Sequence, residues 1–154
     1  MNRPLRRLVT STSRRNFVTT PAVVALEQVA ARRRVDLRWT LLLLWGYAQY
    51  RWAGDYRNAR GGGGPGQSGP PPERLVDTGP YAWTRNPMYL GHLVFLTGLT
   101  LTTRSPLAAL ALVGNIPWFD RHARRDEERL TELFGQAYLD YREHVPRWLP
   151  RRPR

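Results

Sequence analysis

Two short stretches concentrate the side chains that could do chemistry. The first runs from Glu73 to Gly91, E-R-L-V-D-T-G-P-Y-A-W-T-R-N-P-M-Y-L-G. Gly79-Pro80 reads as a turn there, and Asn86-Pro87 as a helix start, because Asn caps well and Pro suits the first helical position. Tyr81, Trp83, Arg85 and Tyr89 therefore crowd around a helix N-terminus. An aromatic belt with a cap would look the same and needs no ligand. The second stretch runs from Arg125 to Pro150. Asp126, Glu127 and Glu128 stand there among Arg121, Arg124, Arg125 and Arg129. A carboxylate cluster of this kind holds donor groups of a ligand, or it forms i,i+4 pairs on a solvated helix face. Other chemistries are excluded. The chain has no Cys, hence no thiol nucleophile and no Cys-bound zinc. His92, His122 and His144 do not have metal-binding spacing. The glycine run at 61–64 lacks the G-K-[ST] and the following helix of a phosphate loop.

The elements that must position these residues are apolar. The chain has 154 residues, 24 Arg without Lys, 12 acidic residues and a net charge of +12. Its longest charge-poor run is 87–119, interrupted by Arg104 alone. Arg104-Ser105-Pro106 reads as a turn, since Pro biases the preceding residue away from helix. Two apolar helices result, roughly 25 and 22 Å long, with the second free to continue past Phe119. Arginines flank both ends, as in a membrane hairpin whose ends both face the cytoplasm; a buried hairpin in a globular domain is the alternative. Leu37–Tyr50 is a shorter apolar stretch rich in Trp and Tyr, suited to a membrane or interfacial helix. Leu130, Leu133, Phe134, Ala137, Tyr138 and Tyr141 recur at helical spacing, which predicts a C-terminal amphipathic helix.

These elements divide the chain into a basic, partly disordered arm (1–36), a membrane or interfacial helix (37–53), a Gly/Pro linker (54–72) and the segment 73–150. Ser13-Arg14-Arg15-Asn16-Phe17 matches the twin-arginine export pattern. Glu27 interrupts the apolar stretch behind it, however, and Arg32-Arg33-Arg34 follow at once. The arm therefore reads as a basic segment near anionic lipid. Nucleic-acid binding finds no support beyond the charge, because no base-reading motif is present.

Together the two chemistry-bearing stretches resemble the isoprenylcysteine carboxyl methyltransferase-like family of integral-membrane methyltransferases, with phospholipid methyltransferases as relatives. The family signature G-x-Y-x-x-x-R-H-P-x-Y-x-G stands here as Gly79, Tyr81, Arg85, Asn86, Pro87, Tyr89 and Gly91. A second signature stands as Asp126, Glu127, Leu130, Phe134, Gly135, Tyr138, Tyr141, Val145 and Pro146. Asn86 replaces the usual His, and Asp126 the first Glu of the acidic pair. If that His titrates in the family, this chain lacks the function; if it only binds, Asn can serve.

The resemblance implies an all-α integral-membrane protein with a transmembrane hairpin at about 87–119 and the C-terminal amphipathic helix. It implies S-adenosylmethionine as cofactor, held by Arg74, Leu75, Val76, Tyr81, Asn86, Pro87, Met88, Tyr89, Asp126 and Glu127. Carboxylates accept from ribose hydroxyls or the ammonium, Tyr faces attract the sulfonium, and the helix N-terminus suits the cofactor carboxylate. His122 and Arg121, one turn before Asp126, would orient the acceptor as the catalytic pair. The implied function is methyl transfer at the cytosolic interface to a lipidic or prenylated carboxylate or amine, without metal. The expected partners are membrane lipid and that lipidic acceptor, and not nucleic acid. The Arg-rich, Lys-free composition suggests a GC-rich gene, so the expected location is a bacterial inner membrane, multi-pass, with both ends of the hairpin cytoplasmic. The alternative is a non-catalytic membrane protein derived from the family.

Overall fold

The computed structural model describes residues 11–62 and 70–149. The first ten residues of the basic arm, the centre of the Gly/Pro linker and Pro150 at the end of segment 73–150 lie outside the described residues. All regular structure among the described residues is helical. A turn at Thr12–Arg14 and a π-helical stretch at Arg15–Thr19 lead into α1, Thr20–Ala31. Arg32, at φ 48°, closes α1 as a left-handed cap. A 3₁₀ turn at Leu37–Trp39 precedes α2, Thr40–Gly61; Asp36 caps that turn by accepting from the Arg38 N–H. A second 3₁₀ turn, Gly79–Ala82, precedes α3, Pro87–Thr103, which is followed by α4, Pro106–Phe134, and α5, Gln136–His144. The chain divides into two compact units, Met1–Ala48 with Gly91–Ile116 and Gln49–Leu90 with Pro117–Arg154.

In the first unit, Val24, Leu96, Leu99 and Ala108 form a core against Leu43, Phe95, Ala111 and Leu112. Two glycines let α2 and α3 approach backbone to backbone. A Cβ at Gly46 would lie 2.4 Å from the Phe95 nitrogen, and one at Gly98 would lie 2.7 Å from the Leu43 nitrogen. Polar clasps tie the N-terminal segment to α4. Buried Asn16 donates to Asn115 Oδ1 at 3.1 Å. The Ser105 hydroxyl donates to Glu27 and accepts from the Ala108 N–H at 3.0 Å, which caps α4. Phe17 stacks on buried His92 at 4.4 Å. Burial, and next the Arg15 charge, lower the His92 imidazole to a pKa of about 3, so it is neutral.

In the second unit, Tyr138, Tyr141 and Val145 pack with Leu75, Leu130 and Phe134. The amphipathic C-terminal helix expected from periodicity is broken at Gly135. That residue takes φ 53° and separates α4 from α5.

The expected membrane hairpin does not form. No helix among the described residues is long and apolar enough to cross a membrane. α3 has 17 residues, roughly 25 Å, against a hydrocarbon core of about 30 Å. α4 is long enough, but from Asp120 onward it carries charge on nearly every turn, and α2 carries Arg51, Asp55, Arg57 and Arg60. The apolar residues are shared between cores and surface instead; Leu41, Leu44 and Leu110 are exposed. The structure thus overturns every expectation that required a crossing: the integral-membrane fold, the multi-pass location with cytoplasmic hairpin ends, membrane lipid as partner, and transfer to a lipidic acceptor at a membrane interface.

Candidate active site

The second unit holds an open-mouthed cleft with a volume of about 70 Å³. Its wall is built from four places in the sequence: Arg57 of α2, Pro72 with Arg74 to Val76, Tyr81 with Arg85, and Leu130, Tyr138 and Tyr141 of α4 and α5. The 72–76 segment is pinned at its start, because the N–H groups of Glu73 and Arg74 both donate to the Gly61 carbonyl, at 2.8 and 3.0 Å. The turn carrying Tyr81 is pinned from two sides. Tyr141 Oη donates to the Tyr81 carbonyl at 2.7 Å, and Tyr81 Oη donates to the Ala53 carbonyl at 3.4 Å. Gly79 opens that turn at φ 59°, hard against the Tyr56 ring, whose hydroxyl donates to Thr78 Oγ1 at 2.9 Å.

Three guanidinium groups and no carboxylate line the cleft, so it favours anionic groups; Leu75, Val76, Pro72 and Leu130 supply an apolar wall. Burial raises the Tyr81 and Tyr138 phenols to about 12 and pushes Tyr141 higher still. All three therefore stay protonated; Tyr81 and Tyr141 donate from their hydroxyls, whereas the Tyr138 hydroxyl accepts from Arg85.

Behind Arg85 lies a charged cluster. Arg147 Nε and Nη2 donate to Glu127 Oε1 and Oε2, each at 2.8 Å, in a bidentate fork. Arg85 Nη1 stands 3.5 Å from Glu127 Oε2, with both side chains nearly inaccessible (10% and 8%). Hydrogen bonding to Glu127 raises the Arg147 pKa. Trp148 Nε1 and Arg124 Nε both donate to Asp120, at 3.3 and 2.9 Å. The Arg124 bond is the main reason the Asp120 carboxyl titrates below its ordinary value. The backbone around Arg147 also braces the turn ahead of α3. Arg85 N–H donates to the Pro146 carbonyl at 2.9 Å, and Thr84 Oγ1 and Asn86 Nδ2 donate to the Arg147 carbonyl at 2.9 and 3.3 Å.

The expected cofactor residues fall into two groups. Arg74, Leu75, Val76 and Tyr81 line the cleft. Asn86, Pro87, Met88, Tyr89, Asp126 and Glu127 are not among the residues that line it. Asn86, where the signature has His, spends its amide on the Arg147 carbonyl. Pro87 accepts from Gln49 Nε2 at 3.0 Å, and Met88 packs over Gly54. Tyr89 Oη donates to Asp126 Oδ2 at 2.7 Å, and its ring stacks on Phe119 at 5.0 Å. Burial, followed by the Asp126 charge, holds the Tyr89 phenol well above its ordinary value. The two signatures thus meet, at Tyr89–Asp126 and at Arg85–Glu127. Arg121 and His122 are not brought to the cleft. Arg121 Nε donates to the Pro117 carbonyl at 3.2 Å, and His122 Nδ1 lies 2.8 Å from the Trp118 carbonyl, its ring 4.2 Å from the Trp118 ring. The sequence reading missed Arg57, Pro72 and Arg147. Their only signals were one of three arginines in the charged half of α2, the end of a proline run, and the residue after Val145-Pro146. Arg85, Leu130, Tyr138 and Tyr141 were visible as signature positions without an assigned role.

Comparison with known proteins adds an independent line. The phospholipid methyltransferase family profile matches residues 64–137. The protein-S-isoprenylcysteine O-methyltransferase of Mus musculus is 35% identical over 77 residues, 49% of this chain and 27% of that protein. The Saccharomyces cerevisiae enzyme of the same name is 32% identical over 77 residues, 49% of this chain and 32% of that protein. Protein-S-isoprenylcysteine O-methyltransferase B of Arabidopsis thaliana is 30% identical over 79 residues, 50% of this chain and 40% of that protein. The match thus spans between about a quarter and two-fifths of these relatives' own lengths. No solved structure matches the chain significantly.

Proposed function

The chain is homologous, over about half its length, to the isoprenylcysteine O-methyltransferase and phospholipid methyltransferase family, and on that footing we propose that it is an S-adenosylmethionine-dependent methyltransferase whose second unit binds the cofactor in the Arg74–Tyr81 cleft. One observation carries the proposal. Both family signatures, nearly forty residues apart, contribute side chains to the walls of one cleft: Tyr81 and Arg85 from the first, Leu130, Tyr138 and Tyr141 from the second.

The chemistry of these side chains fits the cofactor. Arg57, Arg74 and Arg85 suit its carboxylate, as a guanidinium fork matches a carboxylate in shape and charge. Leu75, Val76 and Leu130 form an apolar surface for the adenine ring. The phenyl faces of Tyr81 and Tyr138 suit a sulfonium through their quadrupoles. Asp126 and Glu127 act from behind: Asp126 fixes Tyr89, and Glu127 anchors the two arginines. When bound, the cofactor supplies a methyl group on an electrophilic sulfur for in-line displacement. The protein's part is then positioning and exclusion of water, for which a cleft lined without Cys or His is sufficient. The N–H and hydroxyl bonds that pin residues 73–81 make that positioning rigid.

Titration calorimetry of the full chain with S-adenosylmethionine tests the reading. Saturable binding is expected, with competition by S-adenosylhomocysteine. Arg74→Met, an exposed position outside the core, should weaken it about tenfold, the loss of one charge-assisted hydrogen bond. Absence of saturable binding, or an unchanged affinity in Arg74→Met, would refute it.

A further inference from the structure

Glu127 is a buried carboxylate between two guanidinium groups, and the two are not held alike. Arg147 takes both oxygens at 2.8 Å. Arg85 stands off at 3.5 Å; its buried Nε and Nη1 have no hydrogen-bond partner, and its guanidinium otherwise donates to the Tyr138 hydroxyl, itself part of the cleft wall. Arg85 lines the cleft; Arg147 does not. A buried carboxylate draws in the nearest cation when it lacks better compensation. We propose that Arg147 is a positioning residue: by satisfying Glu127 from behind, it leaves the Arg85 guanidinium available to an anionic group in the cleft. The backbone supports the same division of labour. The carbonyls of Pro146 and Arg147 accept from Arg85 N–H, Thr84 Oγ1 and Asn86 Nδ2, so the strap carrying Arg147 also fixes the turn that carries Arg85. Asn86 joins this arrangement as a donor, a role that needs no titrating ring.

The inference bears on ligand affinity only through the proposed cofactor reading, whereas its effect on Arg85 itself does not depend on that reading. In Arg147→Met the apolar stem stays and the fork is lost, so Glu127 pulls Arg85 into direct contact. Removing the Glu127 charge as well, in Glu127→Gln/Arg147→Met, releases Arg85 again. Two readouts separate positioning from a structural role. The first is the Arg85 Nε–Hε resonance of ¹⁵N-labelled protein without ligand. It should shift and exchange more slowly with solvent in Arg147→Met, and return towards native in the double variant. The second is S-adenosylmethionine affinity by calorimetry. It should fall about 10- to 100-fold in Arg147→Met, the range for a lost charged hydrogen bond. The double variant should regain at least about tenfold of that loss. A strap that merely holds the fold would show no such rescue, and that result, or an unmoved Arg85 resonance in Arg147→Met, overturns the proposal. If Arg147→Met does not fold, Arg147→Lys carries the test, since an ammonium keeps the charge without the fork. An Arg85 resonance shifted part-way supports the proposal, and one identical to native overturns it. If the native chain binds no S-adenosylmethionine, the cofactor reading fails and the Arg85 resonance alone decides this inference.

Discussion

Two glycines at positive φ give the sharpest test of how the candidate site is built. Gly79 has φ 59° and Gly135 has φ 53° with ψ −126°, each at a φ that costs an L-residue about 1–3 kcal/mol. Their surroundings differ. A Cβ at Gly79 would stand 2.5 Å from the Tyr56 ring, while a Cβ at Gly135 meets nothing within 4 Å. Gly135→Ala should therefore cost backbone strain alone, about 1–3 kcal/mol. Gly79→Ala should add an overpacking cost of about 1–3 kcal/mol as Tyr56 is displaced from Thr78, and should shed that added cost in a Tyr56→Ala background. At this chain length each kcal/mol moves the midpoint by about 2–4 °C, so Gly79→Ala should cost about 2–12 °C more with the Tyr56 ring than without it, in thermal unfolding followed by Trp fluorescence. Gly79→Ala should also weaken cofactor binding, since Tyr81 sits two residues on. Equal destabilisation by Gly79→Ala with and without the Tyr56 ring would refute the claim that Tyr56 buttresses this turn.

Three further outcomes are expected. Tyr81, Tyr89, Tyr138 and Tyr141 have raised phenol pKa values in the folded chain. Their contribution is complete below the unfolded tyrosine value of about 10 and is lost as pH climbs from there towards the folded values. Midpoints measured across alkaline pH should therefore fall above about pH 10, with a shallower fall in Tyr138→Phe; a flat profile would contradict this. His92 behaves oppositely, as a base lowered to about 3. The unfolded chain takes up its proton first, so stability drops as pH falls from about 6.5, by up to about 1.4 kcal/mol per unit. Urea midpoints of His92→Phe should lack that acid slope. Asn16→Ala leaves the buried Asn115 amide oxygen without one of its donors and should cost about 1–3 kcal/mol in urea unfolding; a change below about 0.5 kcal/mol would deny the clasp a stabilising role.

Much of this was legible in local sequence chemistry. The two prolines at helix starts, Pro87 and Pro106, and the Arg104-Ser105 turn mark element boundaries where the backbone is least free, and the helices begin and end there. The continuation of the second apolar helix past Phe119 follows from the unbroken periodicity to Phe134. The break at Gly135 was hidden, because Leu130, Phe134, Tyr138 and Tyr141 keep helical spacing across it and still converge on one core. The membrane expectation fails because each apolar helix is short of a span on its own and the extension past Phe119 adds charge instead of apolar length. α4 joins fourteen charge-free residues to a heavily charged half. Within the site, Arg74 to Val76 and Tyr81 were identifiable by position. Arg147 was not, since its role depends on a contact twenty residues away along the chain and on the buried carboxylate it meets there.

Photo-crosslinking the full chain with a radiolabelled adenosyl cofactor, followed by peptide mapping, addresses the central claim most directly. Saturable labelling confined to peptides covering 72–85 and 130–141, and suppressed by excess unlabelled S-adenosylmethionine, is the expected result. Labelling that resists competition, or that falls mainly on first-unit peptides, would contradict the account.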